Sequence, residues 1–431
     1  MSPGRDDEAA VQRRSAVLRI QWHIMGELIR DPELEKLIAE VNTGASATAE
    51  ETAEDGDTLD APVTFTVGDS EPVRQLLAEM VRRTASDLLL VPGSPPTIRV
   101  KGRLHPLPLD PLENGQVEGL LAGHLGARSR QRLAEEGTAD FSMRLLPGEQ
   151  DAAAGSTGWR LRVNLQRQRG QLAAGIRLLP TRIPKLEELN LPAELTRLVA
   201  PERGLVVVSG PTGSGKSTTL AALVDHLNRT EGRHVITIED PIEYEHRSLH
   251  SLVEQVEIGT DSPSFATALR AALRRDPDVI LVGEMRDLET IATVLTAAET
   301  GHLILSTLHT ADATRAVNRF VDVFPEGQQE QVRQQLSLAL QAIVCQQLVP
   351  TADGRGRVPA AEVLLGTYPV RNLIRKRQVE QLYNEMMVGT TGMLQMEQSL
   401  ADLVLRGVIS REEARCRANR PDELDRRLIG S

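Results

Sequence analysis

Residues 205–228, LVVVSGPTGSGKSTTLAALVDHLN, decide the fold. Leu205 to Val208 is a short apolar, β-branched run, which predicts a buried parallel strand. The glycines that follow allow a tight turn, and a helix with an apolar face begins directly after it. The spacing Gly210-x-x-x-x-Gly215-Lys216-Ser217 is the complete P-loop pattern, in which backbone N–H groups and a helix N-terminus cradle a phosphate chain. The stretch therefore predicts a nucleotide site in an α/β domain.

The P-loop pattern gives its members separate roles. We expect Lys216 to reach the β- and γ-phosphates and the Ser217 hydroxyl to ligate Mg²⁺. The other members form the loop and helix start whose N–H groups point at the phosphate chain, which Pro211 joins without an N–H of its own: Gly210, Pro211, Thr212, Gly213, Ser214, Gly215 and Thr218. The predicted cofactors are therefore ATP and Mg²⁺.

Composition argues against several function classes. The chain has 431 residues, a net charge of −11 and 2% aromatic residues. A duplex-binding groove needs a basic surface and a single-strand platform needs aromatic rings, so neither is expected. The two cysteines, Cys345 and Cys416, have no metal-ligand spacing. A signal-peptide core and an apolar stretch of about 18 residues are both absent, which predicts a cytoplasmic protein.

Patterning divides the chain into five segments. Residues 1–42 have the pattern of two amphipathic helices, either a hairpin packed on the protein itself or an element that docks on a partner or a membrane surface. Residues 43–62 hold six acids and no base, which predicts a flexible linker. Residues 63–180 predict a compact α+β domain, residues 181–203 a proline-containing interdomain linker, and residues 204–431 the P-loop domain with C-terminal helices.

Acidic residues follow two further strand-like runs of the P-loop domain. In open parallel sheets, ligands bind at the carboxyl ends of the strands. Glu239 and Asp240 follow the run Val235–Ile238, and either is a candidate for the metal side of the site. Glu284 follows the run Val279–Val282 and is the candidate general base that polarises the attacking water.

Histidines and arginines supply further candidates for contact with the γ-phosphate. His302 and His309 flank a third run around Leu303–Leu305. A lone histidine is most often structural, but a pair around one strand of this sheet makes both candidates. The last strands of the first domain are dense in arginine: Arg160, Arg162, Arg167, Arg169 and Arg177. They are either a solvated strand face or a source of positive charge for the γ-phosphate.

As a set, these motifs resemble the type IV pilus and type II secretion ATPase family, most closely its pilus-retraction, PilT-like branch. Beside the P-loop, the resemblance rests on ITIEDPIEYEH at 236–246, LVGEMRDLETI at 281–291 and TGHLILSTLHT at 300–310. It extends from about residue 71 to about residue 420. Four distinct motifs in the family's order make the resemblance specific.

The resemblance implies a RecA-like P-loop ATPase domain preceded by a smaller PAS-like α+β domain, and a homohexameric ring with ATP between subunits. It implies Mg²⁺-dependent ATP hydrolysis coupled to pilus retraction, and hence twitching motility. It suggests Arg162 and Arg177 as arginine fingers that act from a neighbouring subunit. We assign Glu239 to the metal or its water shell, Glu284 as the base and His309 as the sensor of the γ-phosphate. The expected location is cytoplasmic, at the inner face of the inner membrane, with membrane association through a pilus platform protein and without nucleic acid.

Two departures from the family pattern bear on the direction of the motor. The assembly ATPases of the family carry a four-cysteine zinc motif, which two cysteines cannot form. The AIRNLIRE signature of the retraction branch corresponds to Pro369–Lys376, PVRNLIRK, in which RNLIR is kept. Retraction is therefore favoured. The alternatives are a pilus-assembly or type II secretion ATPase without the zinc motif, a nucleic-acid motor with a RecA core, and a non-catalytic nucleotide-binding scaffold.

Overall fold

The structure is a computed structural model, and the residues that it describes form one compact unit. The ranges that it describes are 63–65, 71–100, 102–146, 158–387 and 392–429. The helical extension predicted at 1–42 and the linker predicted at 43–62 lie outside the described residues.

The first part of the described chain is built on a seven-stranded sheet. Its strands are β1 (Val63–Phe65), β2 (Asp87–Leu90), β3 (Thr97–Val100), β4 (Arg103–Pro106), β5 (Thr138–Leu145), β6 (Trp159–Gln168) and β7 (Gln171–Leu178). The strand order is β1-β5-β6-β7-β2-β3-β4, with β1 parallel to β5 and the other neighbours antiparallel. Helices α1 (Glu71–Arg82), α2 (Gln116–Leu121) and α3 (Ala127–Glu135) connect the strands.

The alternation of side chains along β6 separates the core of this sheet from its charged face. Leu161, Val163 and Leu165 are fully buried and belong to the same apolar cluster as residues of α1. Because successive side chains of a strand point to opposite faces, Arg160 and Arg162 lie on the other face. Arg160 and Arg162 are therefore presented away from the core.

The second part of the chain is built on a second seven-stranded sheet. Its strands are β8 (Gly204–Ser209), β9 (His234–Glu239), β10 (Leu252–Glu257), β11 (Val279–Val282), β12 (Leu303–Leu308), β13 (Leu340–Pro350) and β14 (Arg357–Leu365). The strand order is β10-β9-β11-β12-β8-β13-β14. The paired neighbours are parallel except β13 and β14, which form an antiparallel pair.

Helices cover both faces of the second sheet. They are α4 (Lys216–Thr230), α5 (Phe265–Ala272), α6 (Leu288–Thr300), α7 (Ala313–Asp322), α8 (Glu326–Ala339), α9 (Tyr368–Arg375), α10 (Leu382–Met387), α11 (Met396–Leu405), α12 (Arg411–Arg417) and α13 (Pro421–Ile429). Leu205 and Val207 of β8 face one apolar cluster, and Val206 and Val208 face another. This double burial is why β8 reads as a continuous apolar run. The predicted α/β class, with a RecA-like domain after a smaller α+β domain, is confirmed.

A buried carboxylate joins the two sheets. Glu257, at the end of β10, accepts hydrogen bonds from the Ser142 hydroxyl (2.6 Å), the Arg160 guanidinium (2.8 Å) and the backbone N–H of Ile242 (3.1 Å). Burying a carboxylate is costly unless it is paired and hydrogen-bonded, and this one is satisfied from both parts of the chain. These hydrogen bonds to Glu257 therefore hold the first sheet against the loop that follows β9.

A close backbone approach at the end of β14 gives a stability prediction. A Cβ atom on Gly366 would lie 2.0 Å from the Leu340 carbonyl oxygen. The substitution Gly366→Ala therefore forces the two strands apart, and we expect it to lower the free energy of unfolding by about 1–3 kcal/mol. Thermal unfolding checks this, with Gly119→Ala as the control, because a Cβ there meets nothing within 4 Å and Gly119 lies within α2. Equal unfolding midpoints for both variants would contradict the prediction.

Candidate functional site

The carboxyl ends of four parallel strands meet at one edge of the second sheet. The P-loop follows β8, His309 follows β12, Glu284 lies two residues beyond β11, and Glu239 is the last residue of β9. The strands are in register, since Ser209 is paired with Leu308 and Val282 is paired with Ile238. Each strand is specified by its own apolar run, and the parallel pairing brings the carboxyl ends of the four strands together.

The P-loop curls around the amine of its own lysine. Gly210, Gly213 and Gly215 have φ angles of 144°, 77° and 91°, values that favour glycine. The Lys216 Nζ donates hydrogen bonds to the carbonyl oxygens of Gly210 (2.9 Å) and Pro211 (3.1 Å). Lys216 is buried at the start of α4, so its charge is held at the helix N-terminus where a phosphate chain would bind.

Charged side chains surround the lysine. Burial lowers the pKa of Lys216, whereas the carboxylates of Glu243 and Glu284 act to raise it. His309 Nδ1 lies 3.5 Å from the Lys216 Nζ. Desolvation, then the charges of Lys216 and Arg286, lower the pKa of His309. His309 is therefore neutral at pH 7, and its exposed ring can donate or accept a hydrogen bond.

Glu239, the candidate for the metal side of the site, is a buried carboxyl group with two hydrogen-bond donors. Burial raises the pKa of Glu239 to about 7, and hydrogen bonds from Thr237 (2.8 Å) and Gln255 (3.3 Å) to its carboxyl group act in the opposite direction. The neighbouring strand has Gly283 where the usual pattern has an acid. A Cβ on Gly283 would lie 3.1 Å from the Ile238 carbonyl oxygen and 3.3 Å from the Glu239 Cα, so a side chain there would require the β9 backbone to shift by a few tenths of an ångström.

Glu284, the candidate general base, is mostly buried beside an arginine. Its side chain is 16% exposed, and one carboxyl oxygen lies 2.7 Å from the Arg286 Nε. Desolvation raises the pKa of Glu284, and Arg286 acts to lower it. A carboxylate whose pKa is raised toward the working pH is a stronger proton acceptor than an exposed one.

Arg162 lies on the wall of a cavity of ≈ 180 Å³ between the two sheets. The exposed Asp240 lines the same cavity, and the Arg162 Nη2 lies 3.6 Å from a carboxyl oxygen of Asp140. Desolvation raises the pKa of Asp240, and Arg162 acts to lower the pKa of both Asp240 and Glu284. Arg162 is therefore close to Asp240 and Glu284 at the strand edge of its own chain.

Arg177 is placed differently. It is the cross-strand partner of Arg162, but its Nε donates a hydrogen bond to Asp87 (2.9 Å), and its side chain is 66% exposed. The structure does not bring Arg177 to the P-loop of its own chain.

The pairing of the two histidines around the phosphates is corrected by the structure. His302 precedes β12, and its backbone carbonyl accepts a hydrogen bond from Gly204 at the amino end of β8. Its Nδ1 lies 3.1 Å from the Ala297 carbonyl oxygen. The six residues of β12 separate the two histidines by about 20 Å at the usual rise of a strand. Only His309 is at the P-loop edge.

Comparison with known proteins assigns the family. Residues 178–426 match the family model described as type II/IV secretion system protein. The chain belongs to the type II/IV secretion system protein family. It is 45% identical to the type IV pilus retraction ATPase PilT of Pseudomonas aeruginosa over 81% of this chain and 99% of that protein. It is 44% identical to a twitching motility protein of Neisseria gonorrhoeae over 76% of this chain and 86% of that protein.

A solved structure agrees with this assignment to the type II/IV secretion family. The crystal structure of the pilus retraction motor PilT with bound ADP covers 82% of this chain and 99% of its own, with a TM-score of 0.74 and 44% identity. The resemblance inferred from the sequence is therefore confirmed.

Two residues at the site were not selected by the sequence analysis, Tyr244 and Gln346. The Tyr244 hydroxyl lies 2.9 Å from the Thr218 hydroxyl, and Gln346 contacts the P-loop from β13. Gln346 interrupts the apolar run of β13, and an uncharged polar residue inside a buried strand is the signal that could have identified it. Tyr244 lies within the ITIEDPIEYEH motif and needed the fold to be placed.

The metal side of the site is not a cage of protein ligands. Within the described ranges, no three His, Cys, Asp or Glu side chains form a group that could hold a metal ion. Among the residues that the structure describes, none of the helices is both long and apolar enough to cross a bilayer.

The raised pKa of Glu239 gives a prediction with a definite sign. A group whose pKa rises on folding adds stability in its protonated form below the unfolded pKa of 4.5, and that stability is lost as the pH rises through about 7. Glu239→Gln removes this loss. We expect Glu239→Gln to unfold at the same temperature as the parent at pH 4.5 and at a higher temperature at pH 8, with a gain of at most about 3 kcal/mol.

Thermal unfolding without nucleotide or divalent cation, measured across this pH range, checks the prediction. Glu254→Gln is the control, because Glu254 is a more exposed carboxyl group on the neighbouring strand β10. A constant difference between Glu239→Gln and the parent at all pH values would contradict the raised pKa.

Proposed function

We propose that this chain is the subunit of a homohexameric motor ATPase that couples ATP hydrolysis to the retraction of type IV pili, and so to twitching motility. The observation that carries the proposal is the meeting of Lys216, Glu239, Glu284 and His309 at one sheet edge, in a chain that aligns with 99% of a retraction ATPase. The direction of the motor is supported by the relatives named for retraction and twitching.

ATP is the nucleotide that fits the proposal, with its triphosphate bound by backbone N–H groups of the loop 210–218 other than Pro211. Lys216 exchanges its carbonyl contacts for the β- and γ-phosphates. Mg²⁺ fits beside the Ser217 hydroxyl and Glu239. Burial raises the pKa of Glu239 to about 7, and a cation nearby would stabilise its charged form. When bound, Mg²⁺ would offset the charge of the phosphate oxygens.

Glu284 is the general base in this mechanism. It accepts the proton of the attacking water, and Arg286 holds the carboxylate in place at 2.7 Å. His309, neutral beside the Lys216 Nζ, contacts the γ-phosphate and signals its presence. Arg162 stabilises the developing phosphate charge in its own subunit, and Arg177 reaches the site of a neighbour.

The domain organisation follows from the same proposal. Residues 63–180 and 204–431 form the two domains, and residues 181–203 link them. The ring works in the cytoplasm at the inner face of the inner membrane, where it associates with the membrane through a pilus platform protein. Residues 1–62 are not required for this chemistry.

The first functional prediction concerns the base. Glu284→Gln keeps the shape of the side chain and removes its proton affinity, so we expect ATP binding within twofold of the parent and turnover lowered by about 10²-fold or more. Steady-state ATPase assays and nucleotide titration check both. The matched control is Glu289→Gln on α6, where the carboxyl group is 60% exposed and pairs with Arg270. Normal turnover in Glu284→Gln would reassign the base.

The second functional prediction separates the two arginines. Mixed hexamers of Lys216→Ala and Arg177→Ala subunits create some interfaces that are complete if Arg177 acts on a neighbour, so we expect them to recover ATPase activity. Mixed hexamers of Lys216→Ala and Arg162→Ala subunits should stay inactive, because no subunit then has both residues. Recovery in the Arg162 mixture, with hexamers verified by mass photometry, would place Arg162 in the site of the neighbour instead.

Complementation tests the direction of the motor. The chain, or its Glu284→Gln variant, is expressed in a strain that makes pili but cannot retract them. We expect the parent chain to restore retraction and the variant to leave the strain piliated and non-motile. Rescue of a strain that cannot assemble pili, without rescue of retraction, would favour the assembly ATPase alternative.

A further inference from the structure

The underside of the P-loop rests on a side chain outside all the known motifs. β13 runs parallel to β8, and their ladder ends where Cys345 is paired with Ser209. Strand β13 continues past this point to Pro350. The residue after Cys345, Gln346, therefore lies directly beyond the end of β8. Gln346 is 2% exposed, so its amide group is closed off from solvent beneath the loop.

Both ends of the Gln346 amide bind the P-loop segment. Its Nε2 donates a hydrogen bond to the Ser214 carbonyl oxygen (2.7 Å), and its Oε1 accepts one from the Thr219 hydroxyl (2.9 Å). Ser214 lies in the loop and Thr219 in the first turns of α4, and both are buried. A single side chain therefore ties the turn of the loop to the helix that begins after it.

Two P-loop glycines fit against the same residue. A Cβ on Gly210 would lie 2.2 Å from the Gln346 carbonyl oxygen, and a Cβ on Gly215 would lie 3.0 Å from its Nε2. The backbone of the loop therefore packs directly against Gln346 at both glycines. Glycine-rich segments lose much conformational entropy when they are ordered, so a loop of this kind needs support to hold one conformation before the ligand binds.

The lysine cannot supply that support throughout the reaction. Lys216 contacts the carbonyl oxygens of Gly210 and Pro211, and it leaves them when it turns to phosphate. The bonds from Gln346 lie on the opposite, buried side and stay in place. We propose that Gln346 is a positioning residue that holds the P-loop in its phosphate-binding conformation through the Ser214 carbonyl and the Thr219 hydroxyl. The proposal rests on nucleotide binding at this loop.

The proposal separates binding from turnover. Without the amide, only a fraction of the loops has the binding conformation, and the apparent dissociation constant rises by the inverse of that fraction. Once ATP is bound, the triphosphate itself holds the loop. For Gln346→Met, which keeps the length of the side chain without its amide, we expect Kd and KM to rise by about tenfold from the loss of two hydrogen bonds, with kcat within about twofold of the parent.

The control is the neighbouring residue on the same strand. Gln347 lies on the other face of β13, where its Nε2 donates a hydrogen bond to the Arg417 carbonyl oxygen (2.9 Å). Gln347→Met makes the same chemical change away from the loop, so we expect the parent Kd and KM. Both variants are assayed as hexamers with fluorescent ADP and with ATP, and their unfolding midpoints are measured beside them.

Thr219 variants keep the proposal testable if Gln346→Met fails to fold. Thr219→Val removes one donor at constant shape and should raise Kd by about threefold to fivefold, whereas Thr219→Ser keeps the hydroxyl and should stay near the parent. Combining Thr219→Val with Gln346→Met should add nothing to Gln346→Met alone, because Gln346→Met already removes the hydrogen bond from the Thr219 hydroxyl.

The inference is overturned if folded Gln346→Met, or folded Thr219→Val where the first does not fold, binds ADP within twofold of the parent. It is also overturned if kcat falls as much as KM rises. A parent chain that binds no nucleotide would instead refute the proposed function, so the two failures are distinct.

Discussion

The parallel pairing of β8, β9, β11 and β12 is the constraint on which the site depends. Each of these strands is followed by a polar or charged residue, or by the P-loop, and none of those segments could bind a triphosphate alone. Parallel strands in register end at the same edge, so pairing converts four distant sequence positions into one site. The burial of the strands on both faces, which makes them read as plain apolar runs, is also what holds this edge rigid.

The sequence was most informative where the chemistry is local. The P-loop spacing predicted a turn and a helix start, and the structure places Lys216 there. Glu239 and Glu284 could be proposed because the strands before them were recognisable and strand ends are where ligands bind. Gly283 was a departure from the usual pattern in the sequence, and the structure places the backbone of β9 so close to it that a side chain there would be tightly packed.

The sequence was least informative where distant segments meet. His302 and His309 are close in the sequence, but a strand carries them to opposite ends of the sheet. Gln346 lies more than a hundred residues from the P-loop, and only the register of β13 against β8 puts it beneath the loop. The position of Arg162 near Asp240 depends on how the first sheet sits against the loop after β9, which Glu257 fixes through Arg160 and Ser142. Neither composition nor spacing encodes these contacts directly.

Three ionisable side chains at the edge of the sheet have pKa values that burial shifts away from the charged form. Burial raises the pKa of Glu239 and Glu284 and lowers the pKa of Lys216, so each charge is held at a cost that a triphosphate with a cation would offset. The central claim is that these side chains act on one bound ATP. A structure of the hexamer with Mg²⁺ and a slowly hydrolysed ATP analogue tests it most directly. The account predicts the γ-phosphate in contact with Lys216 and His309, with Glu284 facing it across one water. A triphosphate bound away from Lys216, or one that leaves Glu284 with no path to the γ-phosphate, would contradict the account.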